Sequence, residues 1–190
     1  NTLATAIIAV AQSAVENLTE TGVDPRKITV IANGVEPMRT LSVAERAEFR
    51  QSLGILPDEF VCLISARLEE YKGHSYLIDT AKYVRDMLGN EKKVRFIFMG
   101  DGTCRRGLEE KARDVGVDDI IIFTGFVDDV APYCNIADLN LNCSWGTETA
   151  SLALCEAMSL SLPSVVTDFG GNPYLITDGV NGLLVPKKDS

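Results

Sequence analysis

Basic side chains are scarce in the second half of this sequence. No lysine or arginine lies between Asp114 and Pro186, while that stretch carries ten carboxylates. The whole chain has 18 basic and 27 acidic residues, a net charge of −9, and one histidine. A nucleic-acid-binding protein would show a basic stripe, and a membrane-surface helix would show lysine and arginine along one face. Both classes are therefore excluded, and an anionic ligand would depend on a few cations in the first half or on backbone amides.

Several common sequence signatures are also missing. No apolar run approaches the roughly 20 residues of a membrane-spanning helix, so no transmembrane segment is predicted. The sequence contains no G-x-x-x-x-G-K-[ST] phosphate loop, no G-x-G-x-x-G fingerprint and no G-x-S-x-G turn. These absences remove the usual support for ATP hydrolysis, NAD binding and hydrolase chemistry.

Cysteines are few and scattered. They stand at positions 62, 104, 134, 143 and 155 and form no C-x-x-C pair. With one histidine in the chain, this arrangement predicts no zinc site and no other bound metal. Three of them lie within apolar runs and are interpreted as buried free thiols. Free thiols favour a reducing compartment, so we expect a cytoplasmic protein, with the whole protein either free or peripheral to the membrane.

The 190 residues are enough for one full domain and a remainder. Apolar residues make up 46% of the chain and charged residues 24%, which is typical of a globular protein. The chain begins at Asn1 without methionine and ends at Ser190 in a charged segment, so we expect a piece of a longer protein, although proteolytic processing would give the same ends. Asn33-Gly34 reads as a turn or crossing point in the chain.

Short apolar runs alternate with stretches of helical periodicity. Residues 7–11 and 28–32 read as strands on either side of a helix over about 12–20. A capping box, Ser42-x-x-Glu45, predicts a short helix that ends near Leu53.

From position 60 the alternation becomes regular. Continuous apolar strands that alternate with helices predict a parallel sheet covered on both faces. Right-handed crossovers then make the fold class α/β, with a doubly wound, Rossmann-like sheet. The strand candidates are residues 61–65, 95–99, 120–124, 139–143 and 164–167, with helices around 77–88 and 108–115.

The loops after these five strands share one feature: each carries glycine, a charged residue or both. Glycine lets the backbone approach a ligand closely or take a positive φ. Ligands of doubly wound folds bind beyond the carboxyl ends of the strands. Five such loops at one sheet edge therefore indicate a binding site. They begin at Ser65, Gly100, Gly125, Ser144 and Asp168.

Arg67 and Lys72 are the cations best placed to hold an anion. A guanidinium offers a planar fork for phosphate oxygens, and an ammonium group is a compact point charge. Both could reach one diphosphate, although their spacing alone slightly favours a surface ion pair with Glu69 or Glu70. His74 is interpreted as a helix-start residue with a local hydrogen bond and no catalytic role.

Glu148 and Glu156 form the second candidate pair. Glu156 lies in a run, residues 150–158, that is apolar nearly all round and predicts a buried helix starting near Thr149. A buried carboxylate needs hydrogen-bond partners, which sugar hydroxyls would supply, while the amides at the helix start could hold a phosphate. Taken singly, the alternatives are favoured: helix capping for Glu148, and a hydrogen bond to backbone or tyrosine for Glu156.

In chain order, these motifs resemble the nucleotide-sugar-binding half of a group 1 (family four) retaining glycosyltransferase of the GT-B type. No single motif is decisive, but the ordered set is highly specific and runs along almost the whole chain. The matching segments are Ile31-Ala32-Asn33-Gly34-Val35 (V-I-x-N-G-V), Arg67-Leu68 with Lys72-Gly73 (R-L-x-x-x-K-G), Gly100-Asp101-Gly102 (G-D-G), Phe123-Thr124-Gly125 (F-x-G), Glu148 with Glu156-Ala157-Met158 (E-x7-E), Asp168 with Gly170-Gly171 (D-x-G-G), and Asp178-Gly179 with Asn181-Gly182 (D-G-x-N-G).

The resemblance implies a role for each matching residue. Arg67 and Lys72 would bind the donor diphosphate and stabilise charge on the departing nucleotide, and Glu148 would hydrogen-bond the donor sugar; these three would be the catalytic residues. The remaining donor-binding residues would be Gly100 and Asp101, Phe126 and Val127 against the base, Thr149, Ala150 and Ser151 through their amides, and Glu156 on the ribose hydroxyls.

The resemblance also implies the reaction. The donor would be a nucleoside-diphosphate sugar, with a UDP-sugar as the first expectation, and no metal or other cofactor would be used because the cations and the helix dipole balance the charge. The hexosyl group would be transferred with retention, by attack on the same face as the leaving group.

Residues 1–34 would be the last strand–helix–strand of the N-terminal, acceptor-binding domain. The rest of that domain, with the site for an unknown acceptor, and the end of the donor domain at residues 35–190 would be missing. The piece alone is then expected to be inactive or very weak. Its first strands would stay exposed, dock on the donor domain or mediate a dimer.

Four positions depart from the family's pattern. The departures are Ala66, Thr149 and Ser161 in place of glycine, and Tyr174 in place of a frequent glutamate.

Three other functions stay open. A nucleotide-sugar epimerase and a sugar phosphorylase share the architecture, but the E-x7-E spacing argues against both. A non-catalytic nucleotide-binding module is the third alternative, and the intact pairs of cations and glutamates argue against it.

Overall fold

The computed structural model describes residues 4–89 and 93–189. Their regular elements alternate between strand and helix over most of the chain, as the sequence predicts. They are β1 (Ile7–Ala9), α1 (Gln12–Glu20), β2 (Ile28–Val30), α2 (Val43–Ser52), β3 (Phe60–Ser65), α3 (His74–Leu88), β4 (Val94–Met99), α4 (Arg105–Asp114), β5 (Ile121–Gly125), α5 (Ala131–Ile136), β6 (Leu139–Asn142), α6 (Leu152–Ser159), β7 (Ser164–Thr167), α7 (Asn172–Leu175) and β8 (Leu183–Val185), with short 3₁₀ turns between some of them.

The main sheet has six parallel strands in the order β5-β4-β3-β6-β7-β8. The chain moves outward from β3 through β4 to β5, then returns to the other side of β3 and moves outward again from β6 to β8. Helices α3 and α4 pack on one face, around Ile78 and Phe98. Helices α2 and α5 pack on the other face, around Leu63 and Ile136. The predicted α/β, doubly wound parallel sheet is therefore confirmed.

Residues 4–33 include a separate small sheet in which β1 pairs with β2 in parallel, with α1 between them in the chain. It touches the main unit through the Ser13 hydroxyl, which donates to the Thr149 carbonyl at 3.2 Å, and through Glu16, which accepts from the Tyr174 hydroxyl at 3.2 Å. Ile8 remains exposed. The small sheet thus packs against the main unit, while part of its strand surface is exposed to solvent. Dimer formation through this sheet stays a prediction.

Local signals in the sequence account for most element boundaries. The capping box is present: the Ser42 hydroxyl accepts from the Glu45 amide, and the Glu45 carboxylate accepts from the Ser42 amide at 2.7 Å. The predicted strands lie within one or two residues of the observed ones, whereas β8 was not predicted. Among the described residues, no helix is both long and apolar enough to cross a bilayer.

Candidate functional site

The candidate site lies where the strand order reverses. β3 and β6 are neighbours in the sheet, yet the chain leaves them towards opposite edges. Crevices at such switch points, beyond the carboxyl ends of the strands, are the usual ligand sites of doubly wound folds. The loop after β3 carries Arg67 and Lys72, and the loop after β6 carries Ser144 and Glu148. The fold therefore brings both candidate cations and one candidate glutamate to the same point.

Lys72 and Glu148 form an ion pair across this point. Lys72 Nζ lies 2.8 Å from Glu148 Oε2, and their side chains are only 15% and 7% exposed. The same oxygen accepts from Ser144 Oγ at 2.8 Å and from Asn142 Nδ2 at 3.5 Å. In the described part of the chain, Lys72 forms no ion pair with Glu69 or Glu70, and the N-cap of the following helix is Ser151 rather than Glu148. The two alternatives, a local ion pair for Lys72 and helix capping for Glu148, are therefore wrong.

Arg67 is exposed at the mouth of the same loop. Its Nη2 donates to the Tyr71 hydroxyl at 2.7 Å. Within the described residues no ion pair joins Arg67 to Glu69, whose carboxylate instead accepts from the Thr103 hydroxyl at 2.8 Å. The surface ion pair favoured by spacing alone is absent there, so the guanidinium retains donors that face solvent.

Glycines allow the loops after β3, β6 and β7 to pack against one another. Gly73 has φ +80°, and a Cβ there would lie 2.2 Å from the carbonyl oxygen of Cys143. Gly170 has φ +59°, and a Cβ there would lie 1.9 Å from the carbonyl oxygen of Glu148. Both distances are too short for any side chain, so glycine at these positions holds the Lys72 and Glu148 loops in place.

The loops after β4 and β5 complete the edge. Gly100 has φ 138°, and the Asp101 carboxylate accepts from the Gly102 amide at 2.8 Å. Phe126 is 77% exposed, whereas the Val127 side chain packs into the core. Phe126 is thus available to a ligand, and Val127 would offer its backbone.

Helix α6 begins three residues later than predicted. It starts at Leu152, and its N-cap is Ser151, whose hydroxyl accepts from the Leu154 amide at 3.2 Å. Thr149 and Ala150 therefore belong to the loop before the helix. The prediction of a start near Thr149 is wrong because serine two positions later is the residue whose hydroxyl reaches the free amides of the first turn.

Glu156 lies on α6, and its carboxylate has no hydrogen-bond or ion-pair partner among the described residues. Burial raises the pKa of Glu156. The prediction of a helix buried all round is wrong, since only Leu154 and Ala157 are buried along α6. Among the described residues the expected hydrogen bond of Glu156 to backbone or tyrosine is also missing, and no hydrogen bond or ion pair joins Glu156 to Lys72 or Glu148.

His74 begins α3, as predicted, but lacks the expected local hydrogen bond. Its side chain is 1% exposed, and neither ring nitrogen has a partner among the described residues. The ring lies edge-on to Phe98, with centroids 5.2 Å apart. Burial, and secondarily the charge of Lys72, lowers the pKa of His74 from 6.5 to about 4.

Sequence reasoning missed the polar residues behind Glu148. The apolar pattern places Asn142 at the end of a buried strand and Ser144 in the turn after it, and it assigns neither residue a role. The available signal was the pattern Leu139-Asn140-Leu141-Asn142, in which amide side chains alternate with leucine in a strand of a covered parallel sheet. Such strands are normally apolar throughout.

Two sizeable cavities lie away from this site. One of about 700 Å³ lies beside α2 and the residues that precede β6, and one of about 910 Å³ lies on the α3 face of the sheet. Neither is lined by Arg67, Lys72 or Glu148. The candidate site is therefore defined by converging charged and polar groups at the sheet edge.

Comparison with known proteins identifies the class of this fold and site. Residues 59–190 match the family described as Glycosyl transferases group 1. The match covers more than half of the chain, and the chain belongs to this family. The resemblance predicted from the motifs is thereby confirmed.

Individual relatives match most or all of the chain. In a solved structure of Anabaena HepE, described as a complex with UDP and glucose, the match has a TM-score of 0.91 and 26% identity, and it covers 100% of this chain and 51% of that one. An alpha-monoglucosyldiacylglycerol synthase of Acholeplasma laidlawii is 31% identical over 86% of this chain and 42% of its own length.

An Escherichia coli enzyme named UDP-Gal:alpha-D-GlcNAc-diphosphoundecaprenol alpha-1,3-galactosyltransferase is 28% identical over 88% of this chain and 43% of its own length. The chain thus spans about half the length of the relatives it matches. The predicted fold, one half of a GT-B glycosyltransferase, is confirmed by the solved neighbours.

Proposed function

We propose that this chain binds a nucleoside-diphosphate sugar at the β3–β6 switch point, and that the whole protein transfers the hexosyl group to an acceptor. The observation that carries the proposal is the largely buried ion pair of Lys72 and Glu148, with the exposed Arg67 on the same loop as Lys72. Cations suit the diphosphate, and a carboxylate suits sugar hydroxyls. The relatives support the donor class, because Anabaena HepE has been solved in complex with UDP and glucose and with UDP-glucose, and the Escherichia coli relative is named as a UDP-Gal galactosyltransferase.

The predicted residue roles form part of this proposal. Arg67 and Lys72 bind the two phosphates, Glu148 holds the sugar, and Glu156 holds the ribose. Phe126 and Val127 lie along the base. The backbone around Gly100 and Asp101, together with the amides of Thr149, Ala150 and Ser151, lines the phosphate side.

The partnerless carboxylate of Glu156 supports its role, since two ribose hydroxyls would supply the donors that the described residues do not.

We further propose transfer with retention. The bond between the anomeric carbon and the diphosphate oxygen breaks, and the acceptor oxygen bonds to the same face of that carbon. The acceptor proton passes to the departing diphosphate oxygen, while Arg67 and Lys72 stabilise the charge that develops there. Residues 1–34 are proposed to belong to the acceptor-binding domain. A cytoplasmic location is also proposed, and the five free thiols support it.

Calorimetric titration of the full-length protein tests the proposal. UDP, GDP and ADP, followed by their glucose conjugates, should include at least one ligand that binds at millimolar concentration or tighter. Arg67→Ala should weaken that binding by roughly 10-fold, because it removes a charge-assisted contact to phosphate. Arg106→Ala is the matched control: it removes another exposed arginine, which pairs with Glu110 on α4, and should leave binding within about 2-fold.

Two results would contradict the proposal: no binding of any of these nucleotides, or equal binding by both arginine variants. Product analysis of the full-length protein then separates transfer from epimerisation and phosphorolysis. The anomeric configuration of the product decides retention.

A further inference from the structure

The carboxylate of Glu148 is held by one oxygen only. Oε2 accepts from Lys72 Nζ at 2.8 Å, Ser144 Oγ at 2.8 Å and Asn142 Nδ2 at 3.5 Å. Oε1 has no hydrogen-bond donor within the described part of the chain, and it is not among the buried atoms without a partner. A carboxylate accepts about four hydrogen bonds in all. The unused capacity therefore lies on Oε1, which solvent or a ligand can reach.

Ser144 is itself fixed at three points. Its amide donates to Asn142 Oδ1 at 3.2 Å, its carbonyl accepts from Thr167 Oγ1 at 2.6 Å, and its hydroxyl donates to Glu148. The residue is 2% exposed. Contacts from both β6 and β7 thus set the position of the hydroxyl, so little freedom is left for it to turn away from the carboxylate.

Asn142 links the carboxylate to the start of α6. Its Nδ2 donates to Ser151 Oγ at 3.2 Å, and that oxygen accepts from the first turn of the helix. The same amide group lies 3.5 Å from Glu148 Oε2. Movement of the helix start would therefore move the carboxylate.

We propose that Ser144, supported by Asn142, is a positioning residue that anchors Glu148 through Oε2 and so presents Oε1 to the donor sugar. The inference rests on the proposed sugar-holding role of Glu148. Lys72 is a poor anchor by itself, because an ammonium group imposes little direction and the diphosphate would compete for it. The Ser144 hydroxyl is neutral and directional, and it stays with Oε2 when Lys72 turns to phosphate. Groups pre-oriented in this way spend little free energy on ordering when the ligand binds.

Ser144→Ala in the full-length protein tests this inference, with UDP and UDP-glucose as probes in calorimetric titrations. UDP-glucose binding should weaken by roughly 10-fold, which corresponds to about 1.4 kcal/mol, while UDP binding should change by less than about 2-fold. Ser164→Ala is the matched control. It also removes a 2% exposed serine hydroxyl, but one that bonds Asn140 and Leu162 at the start of β7. Both affinities of that variant should stay near those of the wild type.

Asn142→Ala provides a second test if Ser144→Ala does not fold, as judged by its melting temperature. It should lower the affinity for UDP-glucose relative to UDP in the same direction, by a smaller factor. An unchanged ratio of the two affinities in the folded variants, or an equal loss of both, would overturn the positioning role. Failure of the wild-type protein to bind UDP-glucose or any other nucleotide sugar would instead overturn the proposed function, and this inference with it.

Discussion

Acidification should destabilise the protein through His74. The side chain is 1% exposed, and its pKa is lowered from 6.5 to about 4 by burial and by the nearby charge of Lys72. In the folded state the ring therefore stays neutral where the unfolded chain binds a proton. The stability that depends on a neutral His74 ring is therefore fully present above about pH 6.5, and it is lost as the pH falls from there towards about 4.

The loss of unfolding free energy follows from the difference between the pKa of His74 in the unfolded and folded states. Each pH unit between the two pKa values lowers the free energy of unfolding by up to about 1.4 kcal/mol. Between pH 7.5 and pH 5 the loss from this residue is about 2 kcal/mol, and by pH 4 it approaches about 3 kcal/mol. Carboxylates also titrate at the lower end of this pH range, so a variant without His74 is needed to separate its contribution from theirs.

Urea unfolding of the wild type and of His74→Leu at pH 7.5 and pH 5 provides the measurement. The wild type should lose about 2 kcal/mol more than the variant over this range. At pH 7.5 the variant should be as stable as the wild type or more so, because the described residues offer the ring nitrogens no partner. The chain has one histidine, so its ring resonances can be followed directly by NMR. Equal pH dependence of the two proteins, or a folded-state midpoint near 6.5, would refute the reasoning.

Three further substitutions test the backbone and the ion pair by urea unfolding. Ser161→Gly should stabilise the protein by about 1 kcal/mol, since serine there has φ 56°; unchanged stability would contradict this. Gly73→Ala should lose more than about 2 kcal/mol, and more than its control Gly54→Ala, which has φ +70° but open space around its Cβ; equal losses would show that crowding is irrelevant. Lys72→Met should lose about 3 kcal/mol by leaving Glu148 buried and unpaired, and Glu148→Gln added to it should recover part of that loss; no recovery would argue against the ion pair.

The fold could be predicted from the sequence because its signals are local. Apolar runs of strand length, helical periodicity and a capping box each depend on a few neighbouring residues, and they gave β3 to β7 within one or two positions. The sequence does not predict β8, because its three residues follow a turn motif and resemble the end of a loop. The start of α6 was misplaced because Thr149 and Ser151 are both good N-caps, and only the hydroxyl contact of Ser151 decides between them.

The candidate site was predictable in its residue types but not in its contacts. The motifs gave Lys72 and Glu148, yet their pairing spans 76 positions and depends on β3 lying next to β6. Sequence spacing instead favoured partners close in the chain. For the same reason the ring of His74 was expected to bond locally, whereas it packs against Phe98 from the next strand.

The position of the site between β3 and β6 also concerns how the protein folds. A folding intermediate that contains only β3, β4 and β5 would carry Arg67 and Lys72 but not Glu148, since that residue follows β6. Pairing of β3 with β6 joins distant parts of the chain and is expected to be slow compared with local helix formation. In refolding experiments, recovery of the proposed nucleotide-sugar binding would therefore report the joining of the two halves of the sheet, separately from the earlier gain of helical signal.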